Sequence, residues 1–395
     1  MTRIGIALLT LMICSPAHAQ PAPRVTLDVA LPVADGFTVD RYWQRGRMAV
    51  GSDGMHYILM HQVVAGREPL DPVREARIDL LAVAPDGTVK LRKPLPVPEK
   101  LGLAGFAISS LGITAARSGD LAVFWSPNDA GHDSRPGRSF GTLLRLGADG
   151  SVKKATPIGA PSMKHARQDP GAYYELYVHQ PTPDNAVLLG GGFGSGPYAW
   201  WMGKFSLDGV RLWQAGPGNG FPEHVTAIGQ RWNASWLSLV TEMNPKGGLD
   251  WFIRHNAANG SLLSRRPAPL DIGNAAAVLG VGVAFISYVD ARAEATELVL
   301  ADDTGRVRRR VPWPFSHASV LLADGNGLAA IVEVSTGPNS TQGHVVRVDA
   351  QGTLLWRGAA ADIAEIARTP DGQIAALVRT GKDGESLRLV RYADP

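Results

Sequence analysis

The feature that most constrains this chain is a recurring turn. Six times an alternating apolar run leads into a turn ending in glycine, and a second short run, often basic, follows it. The copies are Ile78–Ala84 before Asp86-Gly87, Leu143–Leu146 before Asp149-Gly150, Trp201–Leu207 before Asp208-Gly209, Phe252–His255 before Asn259-Gly260, Leu298–Leu300 before Thr304-Gly305 and Val345–Val348 before Gln351-Gly352. Alternation on either side of an Asp-Gly or Asn-Gly pair is the signature of a β-hairpin, because such turns need a residue with positive φ. Successive turn glycines at 87, 150, 209, 260, 305 and 352 lie 63, 59, 51, 45 and 47 residues apart. That period suits four-stranded blades with loops of varying length.

Between these hairpins lies a second pair of apolar runs with its own turn, as in Ile363–Ala367, Pro370-Asp371-Gly372 and Ile374–Val378. Each repeat therefore holds four strands, A to D. The second of them reads as a nearly continuous apolar run in Leu121–Trp125, Ala186–Leu189, Val283–Tyr288 and Leu328–Val334, which suits a strand buried on both faces. Helical periodicity is absent. The expected fold is all-β, a single seven-bladed β-propeller over 20–395 with four-stranded antiparallel blades, and six or eight blades are the neighbouring alternatives. The blades fall near 36–98, 101–158, 165–217, 222–270, 273–314, 316–360 and 361–395. The last ends at Leu387–Tyr392 without a strand D, and Val25–Leu31 alternates and runs into Pro32 as the D strands do. That N-terminal strand is expected to close the ring, since an open ring leaves two apolar blade faces wet.

The first nineteen residues carry Arg3, the apolar run Ile4–Ile13, then Pro16 and Ala17-His18-Ala19. This order of charge, apolar run and small residues is that of a secretory leader cleaved after Ala19, and it places the mature protein in the periplasm or outside the cell. The apolar run is about half the length a membrane-spanning helix needs, so no integral membrane segment is expected. Lipidation at Cys14 is disfavoured by the bulky Ile13 before it. Cleavage removes this single cysteine, leaving neither disulfides nor thiolate ligands. The 39 Lys+Arg and 36 Asp+Glu, one basic residue fewer without Arg3, give no broad field to steer nucleic acid or an anionic membrane. The basic runs Lys90–Lys93, Lys153-Lys154, Arg265-Arg266 and Arg306–Arg310 all fall in predicted D strands, where charge protects an unpaired sheet edge.

The segment from Ala199 to Trp213, and His344 to Trp356, resemble bacterial propeller repeats of the quinoprotein-like (PQQ-like, WD40-like) kind. In both, a tryptophan follows the turn glycine by four residues, and in that family it docks on the next blade. The other repeats have lost it. The resemblance implies the fold and a family that spans cofactor-dependent dehydrogenases, outer-membrane assembly factors and unassigned secreted proteins. Its quinone-dependent members typically have eight blades, adjacent cysteines and a calcium site, a pattern from which this chain departs, so no cofactor is expected.

In propellers the D-to-A and B-to-C connections share the face around the channel mouth. Aligning the repeats on their A-to-B turns gathers Gln44, Ser109, Glu175, His224, Asn274, His317 and Asp362 at that mouth. A one-residue slip would turn any of them to the other face. Two histidines and two carboxylates could hold a metal or act as acid and base; channel-lining groups also serve simply to hold water, and no metal is expected. The loops Ala65–Ala76 and Ser126–Ser139 are the longest on this face, the second bearing His132, Asp133 and Arg135. Trp200, Trp201, Trp232, Trp236 and Trp251 read as core rather than a sugar-stacking platform, and Gly190–Gly196 reads as a top loop. The function these readings favour is a binding scaffold for a protein or envelope polymer. The alternative is a lyase or hydrolase on a glycan or small metabolite, with Glu175, His224, His317 and Asp362 as its reacting groups.

Overall fold

The computed structural model describes residues 21–395 except 41–46, 65–75, 97–107, 128–138, 160–172, 195–198, 217–224, 232–233, 245, 247, 269–271, 281, 289–295, 316, 326, 338–339 and 383; of several strand residues near these segments only the backbone is described. Seven antiparallel sheets form a ring, a seven-bladed β-propeller, and no helix occurs among the described residues. The blades span 37–94, 108–159, 173–215, 225–267, 272–313, 317–357 and 362–393, within a few residues of the expected bounds outside the long connections. The inner strands of neighbouring blades touch all the way round, from Met48–Val50 of blade 1 to Asp362–Arg368 of blade 7 and back.

The N-terminal strand closes the ring. Arg24–Ala30 lies antiparallel to Ser386–Ala393 as the outermost strand of blade 7. Packing follows from the alternation of apolar residues along the B and C strands. Among the described residues there are seven buried apolar clusters, one at each junction between blades. A B strand feeds the clusters on both its faces, so Leu328, Ala330 and Val332 turn toward blade 5 while Ala329 and Ile331 turn toward blade 7. The tryptophans follow the same rule. Trp200, Trp201 and Trp236 are buried and Trp251 packs partly buried against the junction of blades 4 and 5; Trp232 lies outside the described residues.

Each of the six turn glycines has φ between +68° and +88°, and each also seats on the outer strand of the preceding blade. A Cβ on Gly209 would lie 2.5 Å from Thr156, and one on Gly260 would lie 2.7 Å from the Trp213 ring. The turn residue is therefore both the hairpin's hinge and the blade's docking point. The two tryptophans four residues past a glycine serve that docking. Trp213 packs 5.9 Å from Trp236 of blade 4, and Trp356 packs 6.0 Å from Tyr392 of blade 7. Gly260→Ala should lower stability by about 2 kcal/mol, from the left-handed backbone and the displaced indole, read as a shift in urea midpoint; a shift within error would show that the turn does not bear on Trp213.

One expectation needs correction. Gly190–Gly196 is not a loop over its first part. The B strand of blade 3 runs through Ala186–Gly194, and Gly191 and Gly192 sit opposite Trp201 and Trp200. A side chain is dispensable there because Trp200 and Trp201 fill the junctions on the two sides of the sheet. In blade 1, Phe37–Val39 and Met48–Val50 pair with opposite ends of His56–Val64, and Gln44 lies outside the described residues.

Candidate functional site

The inner strands position whatever chemistry the channel mouth has, and those of blades 2 to 7 all carry a β-bulge near their start. The register slips at Ser109, Tyr177, Thr226, 273–275, Ser319 and Ala364. A bulge puts two residues of one strand against one of its partner and re-aims the side chains before it. Glu175, His317 and Asp362 each stand two residues ahead of the slip in their strand, so these three share one structural position. Ser109 is itself at the slip, and Asn274 lies within the longer irregularity of blade 5. The side chains of Glu175, Ser109 and Asn274 are not among those described. His224, and the loop residues His132, Asp133 and Arg135, lie outside the described residues altogether, as do the two long loops.

Of the ring, His317 is half-buried and Asp362 is exposed. His317 stands directly across from Glu333 in the register of blade 6, which puts both on one face of that sheet. A cavity of about 420 Å³ opens between blades 6 and 7, lined by Asp362 and Ile363 of blade 7 and by Ser319, Ile331, Glu333 and Thr341 of blade 6, among others. The structure thus joins Asp362 to Glu333, a residue that the ring alignment did not include. The floor forms where the crossover into blade 7 hydrogen-bonds back to strand C of blade 6, Ala361 N–H to the Gly343 carbonyl at 2.9 Å. A Cβ on Gly343 would stand 2.6 Å from the Ala361 carbonyl oxygen, so the close crossing requires glycine.

Asp362 accepts from Arg379 Nη1 at 3.0 Å. Beyond it a chain of polar contacts links blade 7 to Asp40, Arg47 and His61 of blade 1. The Arg47 backbone N–H donates to Glu365 at 3.4 Å and its guanidinium to the Asp40 carbonyl at 3.3 Å, while Asp40 meets His61 Nδ1 at 3.0 Å. Arg47 is only 1 % exposed. Burial drops its pKa to about 9, with Arg379 adding to the fall and Glu365, Asp40 and Asp362 opposing it. The pairing of these groups offsets the cost of burying them.

A second polar insertion lies between the inner strands of blades 2 and 3. His179 shares a 2.7 Å hydrogen bond with Thr114 Oγ1 and presses on Gly112, where no Cβ could fit. Burial drops its pKa to about 4, against a bond to the Ile113 carbonyl that acts the other way. Its Nε2 has no partner among the described residues. The imidazole is therefore neutral, held by packing.

The opposite face carries a repeated clasp that the sequence reading missed. The residue five before the turn glycine reaches back to the A-to-B turn of its own blade in Arg145–Asp120 at 2.6 Å, Lys204–Asp184 at 2.6 Å and Arg347–Asp324 at 2.6 Å, and His255 meets Ser235 in the same way. Arg145 also holds Asp208 at 2.9 Å and Arg347 holds Asp394 at 2.6 Å, each on the next blade. The fixed spacing of a basic residue and a turn glycine was the available signal.

Chemically, the upper cleft offers two carboxylates, neutral hydroxyl and amide groups, and an apolar wall from Ile331 and Ile363. Among the described residues no three His, Cys, Asp or Glu converge to hold a metal ion.

No family model matches the chain, and no curated protein matches it. Solved structures do. A protein of unknown function from Dyadobacter fermentans is 11% identical, with a TM-score of 0.51 over 95% of this chain and 100% of that one. The Dos1 propeller is 10% identical, with a TM-score of 0.50 over 90% and 93% of the two chains. TolB from Acinetobacter baumannii is 14% identical, with a TM-score of 0.40 over 82% and 78%. At such identities the first two likenesses speak to the fold alone, and with the ring of sheets they give the conclusion: this chain is a β-propeller.

Proposed function

We propose that the protein is an exported binding scaffold that recognises a protein or envelope polymer across its upper face, anchored in the cleft between blades 6 and 7. The reading of export rests on the leader-like first nineteen residues, and the kinship to quinoprotein-like repeats on the tryptophans at 213 and 356. The single observation that carries the binding role is the cleft itself. Its volume of about 420 Å³ lies within the range of clefts that hold a small ligand group. Its polar groups are the carboxylates of Glu333 and Asp362, the hydroxyls of Ser319 and Thr341 and the amide of Gln342, a set that can hydrogen-bond a ligand. Asp362, one of the acid-base candidates, is already engaged by Arg379, which suits a fixed acceptor better than a group that must exchange protons.

The test is cross-linking of the tagged protein in its own envelope, followed by the same experiment with Glu333→Gln and Asp362→Asn combined. Capture of one partner near stoichiometry, weakened about tenfold or more by the double variant with its melting temperature unchanged, is expected. A partner captured equally by the double variant would move the interface elsewhere. Turnover of a glycan or metabolite by the protein, lost with His317→Ala, would replace the scaffold with an enzyme.

A further inference from the structure

The outermost strands of blades 4 and 5 carry more charge than edge protection requires. Arg265 is paired with Glu242, Arg308 with Asp302 at 2.7 Å and Arg310 with Glu297 at 3.5 Å. Arg266, Arg306 and Arg309 are exposed and have no carboxylate partner among the described residues. Beside them stand apolar side chains that an edge defence does not explain. Leu262 is 49% and Leu263 57% exposed at the start of the same outer strand of blade 4, and Leu212 of blade 3 is 51% exposed.

The docking of the turns makes these residues one surface. The Gly260 turn seats on Trp213, next to Leu212, and Leu262 follows it directly. One blade further, the Gly305 turn seats on Arg266, 3.6 Å from its Cβ to where a Cβ on Gly305 would lie, and Arg306 follows it. A strip therefore runs round the rim from leucines to unpaired arginines. The near balance of charge in the whole chain conceals this local excess.

Three occupants fit a basic strand edge. A second copy pairing edge to edge would oppose arginine to arginine. A soluble polyanion would satisfy the guanidiniums but leave the leucines in water. A bilayer with anionic lipids satisfies both, because guanidiniums bind phosphates in bidentate fashion and leucines enter the acyl boundary beneath. We propose that the outer edge of blades 3 to 5 docks on the surface of an anionic lipid bilayer, holding the ring edge-on so that the upper cleft stays open.

The test is sedimentation of the full chain with vesicles of phosphatidylcholine, alone or with about one-third phosphatidylglycerol. Binding to the anionic vesicles, weakened by salt, is expected. Each arginine near such a surface contributes roughly fivefold, so Arg266→Ser, Arg306→Ser and Arg309→Ser together should weaken it about a hundredfold. Among the described residues these arginines have no ion pair to lose, so the triple variant is expected to keep its melting temperature. Leu262→Ser with Leu263→Ser should weaken binding about tenfold or more at fixed lipid charge. Equal binding to both vesicle types, no binding, or a triple variant that binds like the parent would overturn the proposal. So would capture by soluble dextran sulfate with no affinity for vesicles, which would make the rim a polymer site. None of these outcomes depends on the cleft between blades 6 and 7.

Discussion

Deleting residues 21–32 should cost the protein its closed ring and most of its net stability. Arg24–Ala30 makes six cross-strand pairs with Ser386–Ala393, and the Leu31 N–H continues the ladder to the Leu387 carbonyl at 2.9 Å. Backbone bonds of this kind contribute about 1 kcal/mol each. Leu31 is buried and adds roughly 1.5–3 kcal/mol, and Leu27, partly buried against the junction of blades 7 and 1, adds a fraction of that. The Asp28–Arg388 pair at 2.7 Å is exposed on both sides and adds little. Gly87 of blade 1 docks on Leu27 and Val29, so the deletion also removes the seat of the first turn. The sum is comparable to the whole net stability of a typical domain, about 5–15 kcal/mol. The expected result is a fall in melting temperature of about 10–15 °C or more, or loss of a cooperative transition, with recovery when a peptide of residues 21–35 is added in trans. A milder pair, Leu27→Ser with Leu31→Ser, should lie between. A deleted protein that melts like the parent would show that the ring is closed by something else.

The parts of this fold that could be read in advance are those where a local chemical demand recurs. A hairpin turn needs positive φ, and the glycines at 87, 150, 209, 260, 305 and 352 answer it six times over. The closing strand was legible because Leu387–Tyr392 left a blade one strand short while Val25–Leu31 had nowhere else to pair. The bulges were not legible. At Ser319 or Ala364 the extra residue is small, and its neighbours would serve on either face, so nothing in the pattern marks where the register slips. That slip decides which inner-strand side chains look into the cleft, which is why Asp362 and His317 could be placed at the mouth but not given partners. Glu333 was overlooked because it sits inside the apolar run Leu328–Val334, where a lone carboxylate near the upper end of a buried strand was the available hint. Gly190–Gly194 misled in the opposite sense. Local propensity reads glycines as loop, while two tryptophans on the neighbouring strand supply the bulk that a strand needs.

Acid should weaken the protein in two separable windows, and the first belongs to His179. Burial lowers its pKa from 6.5 to about 4, so between those values the unfolded chain binds a proton that the folded one refuses. Stability is then full above pH 6.5, falls as pH drops toward 4, and levels off below it. A displacement of that size corresponds to about 3 kcal/mol at most, of which about 2.5 kcal/mol is expressed by pH 4.5. His56, buried in strand B of blade 1, is also lowered chiefly by burial and adds in the same direction. The second window lies lower. Burial of Asp79 favours its neutral form, yet bonds from Arg77 at 2.6 Å and Arg92 at 2.8 Å outweigh this and hold it below the usual carboxylate range. Its contribution is present above pH 3.8 and lost only as pH falls through its lowered value. His179→Asn keeps a polar atom where Nδ1 meets Thr114 but does not titrate. It should cost some stability at every pH and flatten the loss between pH 7.5 and 4.5 by about 2.5 kcal/mol, measured by urea unfolding at fixed pH, while leaving the collapse below pH 3.8 in place. An unchanged slope in the upper window would mean that the imidazole accepts its proton in the folded ring, and that the seam between blades 2 and 3 admits water.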